Sequence, residues 1–199
     1  EVTLRDCFPG VEEPEGGHHV TLLAETPQGY ANLCRLLTEA HMGSERGDTR
    51  LALPSLLELS EGLILLSGCA QSPVAAAMRS SVADGEAFAR KLLDVFGPGS
   101  MFMELQDNAV KGDTARNKTL ARLAGRMGLG VVATSNVHYH RPERHRLQDV
   151  LVSIKNRATL DGAHGARRAN KLFHLPEPWD MRHRFESRPE ALTNTLLIA

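Results

Sequence analysis

The sequence predicts an α/β fold. Short apolar runs of strand length, such as Leu63-Ile64-Leu65-Leu66, alternate along the chain with segments of helical periodicity. Capping and turn residues stand where one kind of segment gives way to the other, and such alternation is the mark of strands connected by helices, with parallel pairing expected. Composition agrees: of 199 residues, 42% are hydrophobic and 24% charged, which sets aside collagen-like, disordered and supercharged chains. The length suffices for one domain of good size, or one domain with a short appendage.

Taken in order, Glu1-Val2-Thr3-Leu4 opens with a strand-like pattern already under way. His19 to Ala24 reads as a strand. Thr26 then offers an N-cap and Pro27 a first helical residue, with Tyr30, Leu33, Leu36, Leu37 and Ala40 following at helical spacing. Gly62 to Ser67 is the next strand, ended by Gly68-Cys69. Pro73 to Met78 reads as a short helix and Gly85 to Phe96 as a longer one, with Ala87, Leu92, Val95 and Phe96 available to a core. Met101 to Leu105 is a third apolar strand. Asp113 is placed to cap a helix carrying Leu120, Leu123, Ala124 and Met127, which Gly128 stops at the expected position. Val131 to Thr134 is a fourth, and a helix over Arg146 to Ile154 begins soon after Pro142. From Asn156 to Leu172 the pattern is loop-like and basic. Two short helices follow, around Trp179 to Phe185 and Pro189 to Ile198.

Several function classes fall away. With 23 Lys+Arg against 24 Asp+Glu the formal charge is −1, so nothing steers the whole molecule to nucleic acid and any such contact needs a local patch. Arg157, Arg167, Arg168 and Lys171 read first as a solvated basic loop; the alternative is a phosphate-binding module, whose affinity would be strongly salt-dependent. Three cysteines favour a reducing compartment over a disulfide scaffold. No apolar run approaches the ~20 residues of a membrane helix, and no leader pattern is visible. Both ends look cut from something longer, so a fragment is expected. There is no G-x-S-x-G, Walker loop, G-x-G-x-x-G, C-x-x-C or H-E-x-x-H. Gly97-Pro98-Gly99 is turn chemistry, and Glu12, Glu13 and Glu15 read as a solvated turn.

What remains is positional. Ligand-binding residues of α/β folds gather at strand C-termini, and there the sequence holds Cys69, then Glu104 and Gln106, then Asn136, His138 and His140. A mixed His/Cys/carboxylate set suits a borderline-soft ion such as Zn²⁺. Each also has a plainer reading. Cys69 serves as a small buried hydrophobe, Glu104 pairs with a neighbouring Arg, one of His138 and His140 is solvated, and His41 sits on the negative end of the first helix.

The strings His19-Val20-Thr21-Leu22-Leu23-Ala24, Gly29-Tyr30, Asn32-Leu33-Cys34-Arg35-Leu36-Leu37 and Ala40-His41 resemble the PHP (polymerase and histidinol phosphatase) domain of bacterial C-family DNA polymerases. So do Glu61 to Cys69, Glu104-Leu105-Gln106, Val132 to His140, Arg144 to Leu151, and Pro189-Glu190-Ala191-Leu192, and the likeness is greatest to the error-prone branch of polymerase III alpha subunits. The resemblance implies a distorted (β/α) barrel, incomplete because its N-terminal strands are missing, with a helical C-terminal connector. Residues 1–155 would be the partial PHP domain and 156–199 the connector toward a polymerase palm. It also implies metal ligands at Glu1, His41, Cys69 and His138, with Asn136 a weaker fifth where the family has Asp. The ion would be Zn²⁺ or Mn²⁺, with Mg²⁺ serving the absent palm.

The implied partners are DNA primer-template and dNTPs through the parent polymerase, with further polymerase or repair subunits and no membrane, in the bacterial cytoplasm. The family's His-x-His motif has no counterpart here, and Asn136 offers a neutral amide oxygen in place of a carboxylate. A metal-binding scaffold of an error-prone polymerase is therefore preferred to the alternative, a metal-dependent phosphoesterase or 3′–5′ exonuclease.

Overall fold

The computed structural model describes residues 1–9, 13–14 and 16–199. Glu12 and Glu15 of the expected acidic turn lie outside the described residues. Glu13 is less solvated than expected, because its carboxylate pairs with Arg50 at 3.1 Å.

The chain forms two compact units, residues 1–104 with 119–132, and residues 105–118 with 133–199. A six-stranded sheet runs in the order β3-β1-β2-β4-β5-β6 and does not close into a barrel. Its strands are β1 (Val2–Arg5), β2 (His18–Ala24), β3 (Leu51–Ala52), β4 (Leu63–Leu66), β5 (Met101–Gln106) and β6 (Gly130–Thr134). The α/β class is as expected, but the pairing is not all parallel. β1 pairs in parallel with β3, and β4 with β5, whereas β2 runs antiparallel to both β1 and β4. The reason lies in residues 6–17, which carry Pro9, Pro14, Gly16 and Gly17 and no helical periodicity. A parallel return needs a crossover element, and a connection without one brings the chain back antiparallel.

In the first unit, α1 (Pro27–Met42) starts as its sequence dictates: Thr26 Oγ1 accepts from the Gly29 amide at 3.0 Å, with Pro27 in the first turn. Leu36 and Ala40 face the core, which includes Leu4, Val20, Leu63, Leu65, Leu92, Met101, Met103 and Leu123. β4 is buried at all four residues, which accounts for its unbroken apolar run. Two elements escaped the sequence reading, β3 and α2 (Leu53–Glu58). They are two and six residues long, too short for a period to show, yet they bury Leu51, Leu53 and Leu56.

After α3 (Pro73–Ser80), α4 (Val82–Phe96) begins earlier than expected, because Ser81 Oγ accepts from the Asp84 amide and caps it. Gly85 lies inside this helix instead of starting it. A Cβ there would overlap the Met78 side chain of α3, so the glycine permits the close approach of the two helices.

The second unit holds the start of α5 (Asp113–Met127), α6 (His145–Lys155), α7 (Pro178–Arg184) and α8 (Pro189–Ile198). Asp113 corrects an expectation. Its carboxylate folds back to accept from the amides of Asn108 and Val110, at 3.0 and 3.1 Å, and pairs with Arg116 at 2.8 Å. It sits within the first turn, so the amides it can reach are those of the preceding loop. The far end of α5 behaves as expected: Gly128 takes a φ of +68°, and the Leu129 amide donates to the Ala124 carbonyl. No helix among the described residues is long and apolar enough to cross a membrane.

Candidate metal centre

The register of β1 against β2 builds the centre. Thr3 lies opposite His19. Glu1, two residues before Thr3, therefore shares the pleat face of His19, within reach as a diagonal neighbour. The Glu1 Oε1 stands 2.7 Å from His19 Nδ1.

Cys69 arrives from the other side of β2. β4 ends at Leu66, and the turn after it is held from two directions. Gly68 N donates to the buried Glu104 carboxylate at 3.0 Å, while Ser67 Oγ accepts from Glu104 N at 2.9 Å. Gly68 has a φ of +91°, and a Cβ there would overlap the carbonyl oxygen of His19, so only glycine lets the turn press against β2. The His19 amide in return donates to Gln71 O at 3.2 Å, and Ser72 caps α3 through its hydroxyl. Cys69 Sγ is thereby set 3.8 Å from His19 Nδ1, and it also accepts from the Gln71 amide at 3.3 Å.

One carboxylate oxygen, one imidazole nitrogen and one sulfur thus lie within 4.8 Å of one another. The orientation of the imidazole is fixed from behind. Its Nε2 stands 3.0 Å from the Gly16 carbonyl, which can only accept, so Nε2 carries a proton and Nδ1 is turned toward Glu1 and Cys69. The His19 pKa is raised to about 10, first by its hydrogen bond to the Cys69 sulfur and then by that to Glu1, against the opposing effect of burial, so the ring keeps its second proton. That proton occupies the position a cation would take.

The donor set fits a borderline-soft divalent ion. A tetrahedral ion with a thiolate at ~2.3 Å and an imidazole at ~2.0 Å separates those two donors by about 3.5 Å. The observed 3.8 Å is close to that edge. The 2.7 Å between Glu1 and His19 is instead a hydrogen-bonded ion pair, which an ion replacing the proton would open slightly.

Of the residues read from the sequence, Glu1 and Cys69 come together and His41 does not join them. His41 is exposed in the last turn of α1, with Nδ1 3.3 Å from Thr49 Oγ1. Asn136 and His138 belong to the second unit. There the His138 amide donates to Phe173 O at 2.7 Å, and its ring lies 6.0 Å from that of Phe173. Glu104 supports the turn before Cys69, its carboxylate accepting from the Gly68 amide. Gln106 offers its carbonyl to Asn117 at 3.1 Å. His19 is a candidate ligand that the sequence expectation did not include. The available signal was the pair His18-His19 at the head of an alternating strand: His18 is buried, so His19 must face the other side, where β1 places an acid.

Comparison with known proteins identifies the family. The PHP domain profile matches residues 1–108. The chain is 39% identical over 202 residues to an error-prone DNA polymerase of Symbiobacterium thermophilum, covering 93% of this chain and 18% of that protein. It is 38% identical over 184 residues to an error-prone DNA polymerase of Mycolicibacterium paratuberculosis, covering 89% and 16%. It is 34% identical over 190 residues to the DNA polymerase III subunit alpha of Thermus aquaticus, covering 93% and 16%. The chain spans less than a fifth of the length of these relatives. Since the profile covers more than half of the residues, and the matched part contains the whole Glu1–His19–Cys69 cluster, the chain belongs to the PHP domain family.

Proposed function

We propose that this chain serves as the PHP domain of an error-prone, polymerase III alpha-type DNA polymerase, where it acts as a metal-pinned scaffold. The observation that carries the reading is the convergence of Glu1, His19 and Cys69 from three separate pieces of backbone. Zn²⁺ suits the thiolate and imidazole better than Mn²⁺ does. Bound there, the ion would tie β1, β2 and the turn after β4 together, supplying a cross-link between segments far apart in sequence. Support for the polymerase assignment comes from the names of the relatives and from identity that extends through nearly the whole chain. In such a parent, primer-template DNA and dNTPs are handled with Mg²⁺ in a palm domain, and residues 156–199 lead toward it.

A scaffold is favoured over a phosphoesterase because Asn136 puts a neutral amide where the family's pattern has a carboxylate. The test measures metal content and release of nucleotides from a primer 3′ end, for the chain and for its Cys69→Ser and His19→Ala variants. About one zinc per chain, lost in both variants, with no hydrolysis, is expected. Absence of bound metal overturns the pinned-scaffold reading. Hydrolysis abolished by chelation overturns it in favour of the phosphoesterase or 3′–5′ exonuclease.

A further inference from the structure

The second unit contains a cleft of about 720 Å³ whose wall gathers most of the basic stretch. Arg167, Arg168 and Lys171 line it with His145 and His164, and Asp149 is its single acidic residue. With both histidines neutral the wall carries three positive charges against one negative, on a chain whose formal charge is −1. This is the local patch that the overall balance requires of any anion site.

The two guanidinium groups are held in place. The Arg167 guanidinium is fixed at two points, 3.5 Å from the Asp149 carboxylate and 3.0 Å from His164 Nδ1. The Arg168 guanidinium lies 5.3 Å from the centre of the Phe173 ring. The loop that carries them is tied at both ends: the Arg167 amide donates to Ala163 O at 3.1 Å, and the Asn170 side chain donates to Asn108 O at 2.8 Å. His145 donates from Nδ1 to Pro142 O at 2.9 Å, which leaves Nε2 as its other polar atom. Lys171 has no ion-pair partner among the described residues. Oriented guanidinium forks suit phosphate oxygens, because two parallel N–H groups match two oxygens of one anion.

We propose that this cleft binds a single-stranded nucleic-acid segment through its phosphodiester groups. An extended ligand is favoured over one free anion by shape: His145 and Lys171 also line an adjoining depression of about 350 Å³, where Arg146 adds a cation and Glu143 an acid. Besides the imidazoles of His145 and His164, the one aromatic ring among the lining residues is that of Tyr139, which is buried, its hydroxyl donating to Asn170 O at 3.3 Å. It offers no face for base stacking. Binding follows the backbone and is indifferent to sequence. The site owes nothing to the metal centre, and removing the metal leaves it unchanged.

The test is fluorescence anisotropy with a labelled oligo-dT, the chain being titrated from 50 to 200 mM salt. Three cations at about 0.7 per phosphate contact give a log–log salt slope near −2, and Arg168→Gln with Lys171→Gln reduces it to about −0.7. Arg35→Gln with Arg182→Gln, both outside the cleft, leaves the slope as it was. An unchanged slope in the cleft variant overturns the proposal. So does displacement of the oligonucleotide by inorganic phosphate at constant ionic strength, which marks a one-anion site. Should the double variant melt early, Arg168→Lys keeps the charge and retains the slope; loss of the slope in that folded, still-cationic chain also counts against the proposal.

Discussion

Glu104 is the residue on which the position of Cys69 depends. It is 3% exposed, and its carboxylate accepts from Gly68 N at 3.0 Å, one residue before the candidate sulfur donor. Replacing it with alanine deletes the acceptor and leaves a buried N–H unpaired, at a cost of about 3 kcal/mol, the upper part of the range for a hydrogen bond to a charged group. Glu104→Gln keeps an acceptor oxygen but gives up the charge. Charge-assisted bonds are roughly twice as strong as neutral ones, so this change costs about 1.5 kcal/mol. At roughly 3–4 °C per kcal/mol for a domain of this size, the alanine variant melts about 10 °C lower and the glutamine variant about 5 °C lower.

Two assays check this, thermal unfolding by circular dichroism and zinc affinity by competition with a chelating dye. The second matters because the Glu104 carboxylate holds the Gly68 amide, one residue before Cys69, while its own main-chain N–H donates to the Ser67 hydroxyl. Loss of an outer support of this kind lowers metal affinity about 10–100-fold. Zinc should bind more weakly to Glu104→Ala than to Glu104→Gln, in the order of the melting temperatures. If the alanine variant melts within 2 °C of the parent, or if zinc affinity is equal in all three proteins, the turn is held by something else and the reasoning fails.

Two further predictions rest on charge. In the metal-free chain the folded pKa of His19 is about 10, above the ordinary imidazole value of ~6.5 in the unfolded chain, so its contribution to stability is complete below about pH 6.5 and is lost as pH rises through 10. Melting temperature in a chelator therefore falls between pH 7 and 10, and Glu1→Gln flattens that fall; parallel curves for the two proteins would refute the pairing. Burial, followed by the nearby charges of Glu13 and Asp6, pushes the Cys7 thiol up to about 12, whereas Cys34 is exposed. At pH 8 about one Cys7 in ten thousand is thiolate, so iodoacetamide should modify Cys34 and spare Cys7 until the chain unfolds, as peptide mass mapping will show.

The elements visible in the sequence are those whose local chemistry agrees with their tertiary role. Thr26-Pro27 starts a helix in any context, Gly128 ends one, and Leu63 to Leu66 is apolar throughout because β4 is covered on both faces. What stayed hidden depends on pairing between distant segments. The antiparallel course of β2 follows from a connection without a crossover. That course is what sets Thr3 opposite His19, and so Glu1 beside it. A β-sheet register moves every side chain to the other face when it slips by one residue, so the third member of the cluster could not be read from spacing alone, although Glu1 and Cys69 were already named. The basic stretch shows the same dependence. Arg167, Arg168 and Lys171 look like a solvated loop in the sequence because the residues that orient the two arginines, Asp149, His164 and Phe173, are partly remote in the chain and carry no signature of the contact. Chemistry that needs two or three side chains at once is legible only where the sequence also specifies the backbone that brings them together. At the candidate metal centre that backbone is the β1–β2 register and the Gly68 turn, the two features that mutation of Glu1 and Glu104 will probe.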